Sequence, residues 1–339
     1  MTAPLGGRTL RIGIAGAGAI SQYHLVGWRA QPDVDLVALC DPDQARAEAR
    51  ALEFDIPHVY ASMEDMLAAE TLDAVDVITP VGTHAPLVRL AADAGMHVCC
   101  QKPLCATVEE ARTLIGDVGD RVRFMVHENY RHRPHYVTIR QWLGEGRIGR
   151  PTAARMSVRG ACTFTGDASA PFLLTRQPYL VGFRRLLMFE VLIHHLDALR
   201  VLLGPLDVQH CMLDRVNDAI AGEDVALITL RGRDGLGCLV DGQIAAPGYA
   251  PLPVDRLEIT GTTGTLVFDR DRLWLEGRPD TLVTFDLAEN YQVCFSAAVA
   301  DFVSGLRSGA PFQTDRLDNI ETLELMEACY RAAGVPIGP

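Results

Sequence analysis

The sequence lacks the features that mark several specialised classes of protein. Its nine cysteines include no Cys-x-x-Cys pair, and their odd number suits neither a zinc knuckle nor a disulfide framework. No apolar run reaches the ~20 residues that a membrane-spanning helix needs. Acidic residues outnumber basic ones by 43 to 31, and the net charge of −12 argues against a nucleic-acid partner. We therefore expect a cytoplasmic protein with reduced, buried thiols and no membrane partner.

The first part of the chain alternates between strand-type and helix-type segments. At 339 residues and 48% apolar content the chain is long enough for two domains. Strands separated by helical segments of ordinary length predict a parallel, doubly wound α/β sheet. The predicted strands are Leu10–Ala15, Val34–Cys40, Ala74–Thr79, His97–Cys100 and Arg121–Val126.

The later part changes to a period of two residues, which is typical of successive strands. It predicts an α+β domain with an open, mostly antiparallel sheet, and we place the domains at 1–128 and 129–339, with the last helix able to pack back on the first domain. An open sheet leaves one face to be covered, so we expect a homodimer or homotetramer. The predicted strands are Ala153–Arg159, Val208–Leu213, Val225–Leu230, Gly237–Asp241, Asp255–Thr260, Gly264–Asp269 and Leu282–Phe285, and the closing helices are Tyr291–Ser308 and Asp315–Ala333.

A glycine-rich turn follows the first strand and opens a helix. Gly16 permits a tight turn, Gly18 lets the backbone approach a pyrophosphate, and the helix N-terminus supplies amide donors. Ser21 occupies the third fingerprint position, where a small residue still allows close packing of helix and strand. The six residues of the turn are Gly16, Ala17, Gly18, Ala19, Ile20 and Ser21.

An acidic residue ends the second strand, just over 20 residues beyond the turn, as dinucleotide binding requires. Asp41 would accept hydrogen bonds from the adenosine ribose hydroxyls and repel a 2′-phosphate. No basic residue adjoins it in sequence, since Pro42 and Asp43 follow. The pattern therefore favours NAD over NADP, although Asp41 could equally serve as a helix cap.

The segment Leu186–Gly204 combines a broad apolar face with three polar residues. At 100° per residue, Glu190, His194 and Asp197 fall within about 60° of one another. A polar line on a buried helix must be paired internally or must face a cavity. A satisfied buried network, a zinc site and a catalytic site all remain open for these residues.

Together these motifs resemble the Gfo/Idh/MocA oxidoreductase family over nearly the full length of the chain. The resemblance implies an N-terminal Rossmann domain, a C-terminal α/β domain with an open sheet, and NAD(P)-dependent chemistry on the CH–OH groups of sugars, cyclitols and related polyols. The motifs that carry it are GAGAIS at 16–21 with His24 behind it, Asp41, TPVGTH at 79–84, QKP at 101–103, HENYRHRP at 127–134, GRIGRP at 146–151 and EVLIHHLD at 190–197.

The resemblance also implies the catalytic residues. Lys102 matches the lysine of the family's Glu-Lys-Pro motif, where an ammonium would favour a developing alkoxide. His194 matches the histidine that contacts the substrate hydroxyl and acts as general base. Glu190 replaces the family's aspartate and is expected to orient His194 or to contact the substrate. This chemistry needs no metal, so we expect none.

Three further residues of the EVLIHHLD motif carry predictions. Leu192 replaces a glycine and is expected to narrow the pocket. His195 points about 100° away from His194 and is expected to be a buried structural residue, with Asp197 as a structural partner.

The remaining site predictions follow from the same motifs. For Arg131 a salt bridge between domains is as consistent with the sequence as a substrate contact. The segment 160–185 is predicted to be a functional or oligomeric loop. The predicted cofactor-binding residues are Gly16, Gly18, Ala19, Ile20, Asp41, Thr79, Pro80, His84, Gln101 and Lys102, and the predicted substrate-binding residues are Arg131, Tyr179, Arg184 and His194.

The sequence therefore predicts an NAD-dependent dehydrogenase of a sugar-like polyol. Two alternatives remain open. Gln101, in place of the family's glutamate, and Glu190 leave room for a cofactor-binding sensor or scaffold without turnover. A redox-assisted elimination or hydrolysis that recycles the cofactor would use the same residues.

Overall fold

The structure is a computed structural model that describes residues 4–163, 173, 175 and 177–337. The chain forms two compact units. Unit 1 contains the chain up to Arg133 together with Ala288–Leu323, and unit 2 contains Pro134–Leu287 and the residues from Glu324 onward. The sequence predicts one division, after residue 128, whereas unit 1 also takes a later segment of the chain. Among the described residues no helix is long and apolar enough to cross a membrane.

Unit 1 is built on a six-stranded sheet in which every pair of neighbouring strands is parallel. The strand order is β3-β2-β1-β4-β5-β6, so the direction of winding reverses between β1 and β4. The predicted doubly wound sheet is confirmed. The strands are β1 (Leu10–Ala15), β2 (Val34–Cys40), β3 (His58–Tyr60), β4 (Ala74–Val77), β5 (His97–Gln101) and β6 (Phe124–His127).

Helices connect these strands, and side-chain caps start several of them. Asp43, Ser62 and Thr107 each accept a hydrogen bond from the backbone N–H three residues later, which satisfies one donor at each helix start. The Ser62 hydroxyl, for example, accepts from Asp65 N–H at 3.1 Å. The helices are α1 (Ser21–Arg29), α2 (Gln44–Glu53), α3 (Met63–Ala69), α4 (His84–Asp93) and α5 (Val108–Val118).

A later helix completes the core of unit 1. Helix α8, Leu287–Ser308, packs Val299 and Phe302 against Trp28 of α1 and the apolar side chains of β1. Gly27 permits the close approach of α1 to α8, because a Cβ there would lie 3.0 Å from Ser296 Cα. Helix α8, although late in the chain, therefore forms part of the core of unit 1.

Unit 2 contains an eight-stranded sheet in the order β14-β13-β12-β11-β7-β10-β9-β8. Only the pair of β7 and β10 is parallel, so the predicted mostly antiparallel sheet is confirmed. Helix α6, Pro134–Gly144, precedes the sheet, and α9, Arg316–Ala332, closes the chain. The strands are β7 (Pro151–Arg159), β8 (Leu206–Asp214), β9 (Val225–Gly232), β10 (Gly237–Gln243), β11 (Val254–Gly261), β12 (Thr265–Asp269), β13 (Arg272–Leu275) and β14 (Arg278–Thr284).

The segment between β7 and β8 is not a continuous α-helix as predicted. Leu187–Leu192 forms a π-helix, and α7, Ile193–Leu203, begins only after it. A π-helix is wound more loosely than 100° per residue, so the angle predicted between Glu190 and His194 does not hold. The prediction was wrong because the apolar pattern is compatible with both kinds of helix.

Leu192, which was predicted to narrow the pocket, packs against the sheet of unit 2. Its side chain is fully buried, and a Cβ added at Gly242 of β10 would lie 2.6 Å from Leu192 Cδ1. The glycine of the sheet makes room for the leucine of the helix. This contact fixes the π-helix against the sheet.

We expect Gly242→Ala to destabilise unit 2 by about 1–3 kcal/mol, because a buried methyl group there overpacks the contact with Leu192. Leu192→Ala alone should cost about 2–5 kcal/mol through the cavity it leaves. The double variant should lose less stability than the sum of the two single losses, since the alanine at 242 partly fills the space that the shortened side chain at 192 leaves. Urea unfolding of the four proteins measures this coupling, and strict additivity would contradict the packing described.

Candidate active site

The glycine turn of unit 1 has the shape that a dinucleotide requires. Gly16 has φ of +107°, and a Cβ there would lie 2.3 Å from the Ile78 carbonyl oxygen. Beside Gly18, by contrast, a Cβ would meet nothing within 4 Å. Ser21 is buried and donates its hydroxyl to the Gly18 carbonyl at 2.8 Å. The turn is closed towards β4 and open at Gly18, as backbone contact with a pyrophosphate demands.

Asp41 links the end of β2 to the glycine turn. Its Oδ2 accepts from Ala17 N–H at 2.8 Å, and its Oδ1 accepts from Asp43 N–H and from the Arg46 guanidinium, both at 2.9 Å. Burial alone would raise the pKa of Asp41, but these hydrogen bonds outweigh burial and lower that pKa. The carboxylate is therefore ionised and fixed in place at the glycine turn.

Arg46 is a basic residue near the cofactor site that sequence reasoning missed. It is not adjacent to Asp41 in sequence, but the first turn of α2 brings its guanidinium to the carboxylate. The spacing of five residues across a helix start could have revealed it. The charge of Arg46 is paired with that of Asp41, so the guanidinium is not a separate positive charge at the end of β2.

His84 is a brace between two loops. Its Nε2 lies 2.7 Å from the Thr79 carbonyl oxygen, and its Nδ1 lies 2.9 Å from the Pro103 carbonyl oxygen. The ring is 1% exposed, and its burial lowers the pKa of His84 despite these hydrogen bonds. Both nitrogens face carbonyl oxygens, so His84 holds the Thr79–Pro80 loop and the loop after β5 in place.

Lys102 follows β5 directly and is half-buried. Of the 31 lysine and arginine residues, it is the only lysine in the chain. Arginine stays charged at every accessible pH, whereas a lysine can be tuned to take up or release a proton. Lys102 therefore lies at the end of a parallel strand, where sheets of this kind bind their ligands.

Gln101 was predicted to bind the cofactor, and the structure gives its polar atoms partners within unit 1. Its Oε1 accepts from Lys102 N–H at 2.7 Å, and its Nε2 lies 2.8 Å from His24 Nε2. The side chain therefore holds the peptide of Lys102. The peptide bond between Lys102 and Pro103 is cis.

The histidine pair of unit 2 divides into two roles. His194 lies in the first turn of α7 and is 7% exposed, and Glu190 is half-buried in the π-helix before it. His195 is buried, with Nε2 2.9 Å from Asp255 Oδ1 and Nδ1 3.0 Å from the Val191 carbonyl oxygen. The prediction that His195 is structural is confirmed.

Two further contacts complete the surroundings of this histidine pair. Tyr136 donates its hydroxyl to Asp255 at 3.2 Å, so helices α6 and α7 share one buried carboxylate on β11. Asp197 is fully buried and lies 3.7 Å from the Arg200 guanidinium, as expected for a structural partner.

Glu223 supports the start of the π-helix, and sequence reasoning missed it. Its carboxylate accepts from Met188 N–H at 3.1 Å and from the Tyr330 hydroxyl at 2.7 Å, and its carbonyl accepts from Leu187 N–H. Burial raises the pKa of Glu223 above its usual value, although the hydrogen bonds oppose this. No local sequence signal marks a glutamate that satisfies the amides of a distant helix start.

The structure gives the predicted substrate residues different positions. Arg131 is 5% exposed, and its guanidinium bonds Asp318 and the Gln313 carbonyl. Of the two alternatives for Arg131, the ion pair is the one observed, and both partners lie in unit 1 rather than in different domains. Tyr179 is 56% exposed and accepts from the Gln177 amide at 2.8 Å, and Arg184 is exposed. Residues 164–172, 174 and 176 of the predicted 160–185 loop lie outside the described residues.

A metal site at Glu190, His194 and Asp197 was one alternative for the polar line. Within the part of the chain that the structure describes, no three potential ligands come together around a common point. Elsewhere, at the glycine turn of unit 1, the open backbone at Gly18 and the ionised Asp41 fit the pyrophosphate and ribose of NAD.

Two family comparisons agree with this geometry. Residues 10–121 match the oxidoreductase family with an NAD-binding Rossmann fold, and residues 136–267 match the C-terminal domain of the Gfo/Idh/MocA proteins. The chain belongs to the Gfo/Idh/MocA family. It is accordingly an NAD-dependent oxidoreductase that acts on CH–OH groups, as the sequence predicted.

Relatives of known name cover almost the whole chain. A D-apiose dehydrogenase from Paraburkholderia graminis is 36% identical over 94% of this chain and 86% of its own length. An inositol 2-dehydrogenase from Rhizobium meliloti is 28% identical over 96% of this chain and 97% of its own length.

Solved structures of other proteins have a similar fold. An oxidoreductase from Agrobacterium radiobacter, in complex with NAD+, L-tartaric acid and magnesium, is 29% identical with a TM-score of 0.88 over 96% of each chain. A myo-inositol dehydrogenase from Corynebacterium glutamicum is 27% identical with a TM-score of 0.77, over 96% of this chain and 97% of its own.

His127 makes the stability of unit 1 dependent on pH. The ring is fully buried, and burial, followed by the neighbouring His24 and His132, holds the pKa of His127 well below its usual range. Below about pH 6.5 the unfolded chain binds a proton that the folded chain does not, so stability is lost as pH falls, by up to about 1.4 kcal/mol per pH unit.

We expect His127→Phe, which keeps an aromatic ring in the stack, to flatten the fall in the urea midpoint between about pH 6.5 and pH 5. A residual slope should remain, because burial also lowers the pKa of His84 and His97. His210→Gln, at an exposed position of β8, serves as the control. An unchanged slope in His127→Phe would contradict the assignment.

Proposed function

We propose that this dehydrogenase oxidises a CH–OH carbon of a small sugar or cyclitol, with D-apiose the first candidate and myo-inositol the second. The order follows the identities of the relatives, 36% for the D-apiose enzyme against 28% for the inositol enzyme. The L-tartaric acid bound to the Agrobacterium protein adds a small polyhydroxylated acid to the candidates.

Each proposed catalytic residue has a distinct role. Bound NAD supplies the hydride acceptor. His194 takes the proton from the reacting hydroxyl, for which an imidazole has a suitable pKa. The Lys102 ammonium lies against the reacting oxygen and stabilises the negative charge that develops on it. Glu190 orients His194. Tyr179 and Arg184 contact the substrate from the segment before the π-helix.

The observation that carries the proposal is the position of the only lysine. Lys102 follows β5 at the carboxyl edge of the parallel sheet, the same edge at which the glycine turn and Asp41 lie. A cofactor-binding sensor would need the turn and the aspartate but would have no need of an ammonium group in place of arginine. Turnover is therefore the better explanation.

We expect Lys102→Ala and His194→Ala each to lower kcat by about 10²- to 10⁴-fold, because each removes a group that acts on the reacting oxygen. Lys102→Arg should be similarly impaired, since guanidinium keeps the charge but not the geometry. NAD binding, measured by calorimetry, should change only a few-fold in all three. NADH formation is followed with D-apiose, myo-inositol and L-tartrate.

The alternatives give different results in the same assay. NAD binding without turnover on any candidate would support the sensor. Product without net NADH would support elimination or hydrolysis with a recycled cofactor. Wild-type rates in both the Lys102 and His194 variants would contradict the proposed mechanism.

We further propose that the open face of the unit 2 sheet joins subunits in a homodimer or homotetramer. Met212, Leu227 and Leu239 lie on neighbouring strands and are 45%, 41% and 42% exposed. Alternate residues of β9 and β10 are buried, so these side chains share the uncovered face.

We also propose a cytoplasmic location, which is supported by nine free, buried cysteines.

We expect Leu239→Arg to shift the mass measured by light scattering towards the monomer, because a charge in the centre of an apolar interface is costly to bury. Leu52→Arg is the matched control, since Leu52 is 83% exposed on α2 of unit 1 and lies outside this face. If wild type and Leu239→Arg have the same oligomeric mass, the subunit contact is elsewhere.

A further inference from the structure

A buried chain of hydrogen bonds connects the peptide of Lys102 to helix α1. It runs from Lys102 N–H to Gln101 Oε1, from Gln101 Nε2 to His24 Nε2, and from His24 Nδ1 to Asp76 Oδ2, with distances of 2.7, 2.8 and 2.8 Å. His24 and Asp76 are both fully buried. Because water does not reach these groups, each must find its hydrogen-bond partner within the chain.

The direction of every hydrogen bond in this chain follows from the backbone. Lys102 N–H is a donor only, so the atom of Gln101 that faces it must be the amide oxygen. The amide nitrogen of Gln101 then faces His24 Nε2 and donates to it. His24 Nε2 must accept, which places the single ring proton on Nδ1, and that proton is donated to Asp76.

We propose that His24 is a positioning residue of the active site, held as the neutral Nδ1–H tautomer so that it orients Gln101 and, through Gln101, the peptide of Lys102. This inference rests on the proposed function, because it assigns Lys102 its catalytic task. His24 does not touch the reacting atoms. It acts through the geometry of the lysine that does.

The groups packed around His24 are consistent with a neutral ring. From α1, Trp28 Nε1 donates to the same Asp76 oxygen at 2.7 Å, so the carboxylate has a second donor and does not require an imidazolium. The ring of His127 on β6 stacks on His24 with centroids 4.0 Å apart, and Phe295 of α8 lies edge-on at 5.4 Å. Cys99, close to Asp76, has a thiol whose pKa is raised by burial and by that carboxylate.

The residue at position 101 decides the protonation state of His24. A glutamate there would be an acceptor only, and it would require a proton on His24 Nε2 as well as on Nδ1. Gln101→Glu should therefore convert His24 to imidazolium by uptake of one proton. The glutamine found in this chain keeps the His24 ring neutral, and a single exchange of amide for carboxylate would make it an imidazolium.

The tautomer is tested directly by nitrogen NMR of protein labelled with ¹⁵N-histidine, with the His24 signals assigned by their loss in His24→Gln. We expect the neutral Nδ1–H pattern in the wild type. In Gln101→Glu we expect the imidazolium pattern. Imidazolium or the Nε2–H tautomer in the wild type would overturn the proposal.

Turnover provides the second test. His24→Leu removes the acceptor for Gln101, and we expect kcat to fall on the order of tenfold to a hundredfold. His24→Gln places a carbonyl oxygen near the position of Nε2, so it should recover a large part of that loss. His58→Gln, at an exposed position of β3, is the control. Equal rates for His24→Leu and wild type would contradict a positioning role.

The third test is an NMR measurement on Lys102, because protein made with labelled lysine gives one lysine side-chain signal. If His24 positions Lys102, His24→Leu should move or broaden this signal and shift the pH profile of kcat, and His24→Gln should restore both. A fold defect alone would lower the urea midpoint and leave the lysine signal of the folded protein unchanged. Failure of every sugar to be oxidised would count against the proposed function, while the two NMR measurements would still decide the role of His24.

Discussion

The close approach of Gly16 to the Ile78 carbonyl is the constraint on which the cofactor site depends. The sheet winds in one direction from β1 to β3 and in the other from β4 to β6, so a crevice opens where β1 and β4 are neighbours. A side chain at position 16 would occupy the space of the carbonyl and would force the glycine turn away from the β4 loop. Helix α1 follows β1, the Thr79 loop follows β4, and Asp41 accepts from Ala17 N–H of the turn, so the spacing of all three depends on this contact.

Buried imidazoles are the main connectors between the elements around the site. His84 bridges two loops of unit 1, His24 bridges α1 and β5, and His195 bridges α7 and β11. A neutral imidazole has one N–H donor and one acceptor nitrogen at opposite ends of a rigid ring. His24 uses both of them, between Gln101 and Asp76, whereas His84 and His195 each have an acceptor oxygen beside both nitrogens. Burial disfavours the charged ring of His84, which accounts for its lowered pKa.

Most of the architecture could be predicted from the sequence, because it depends on local patterns. Apolar runs and glycine turns located five strands of the parallel sheet, and alternation located the antiparallel sheet. The strands β3 and β13 were missed because His58–Tyr60 and Arg272–Leu275 are too short to show a period. The hairpin before β13 turns at Arg270, with φ of +57°, and not at a glycine.

The details of the site were less predictable, because they depend on contacts between distant residues. Leu192 fits against Gly242, and Glu223 satisfies the amides of the π-helix, although neither pair is close in sequence. Arg131 was recognised as either a ligand contact or an ion pair, and only the fold shows Asp318 beside it. The motif positions could be read from the chain, whereas the partners of each motif residue required the tertiary structure.

The use of arginine for all cationic side chains except Lys102 has a consequence for the protein in alkaline solution. Guanidinium groups keep their charge far above neutral pH, so the positive charges on the surface and in the ion pairs do not titrate as the medium becomes basic. An enzyme rich in lysine would lose such ion pairs progressively. In this chain the arginine half of each ion pair therefore keeps its charge in a basic medium, and the single side-chain amine is the one proposed to handle the substrate.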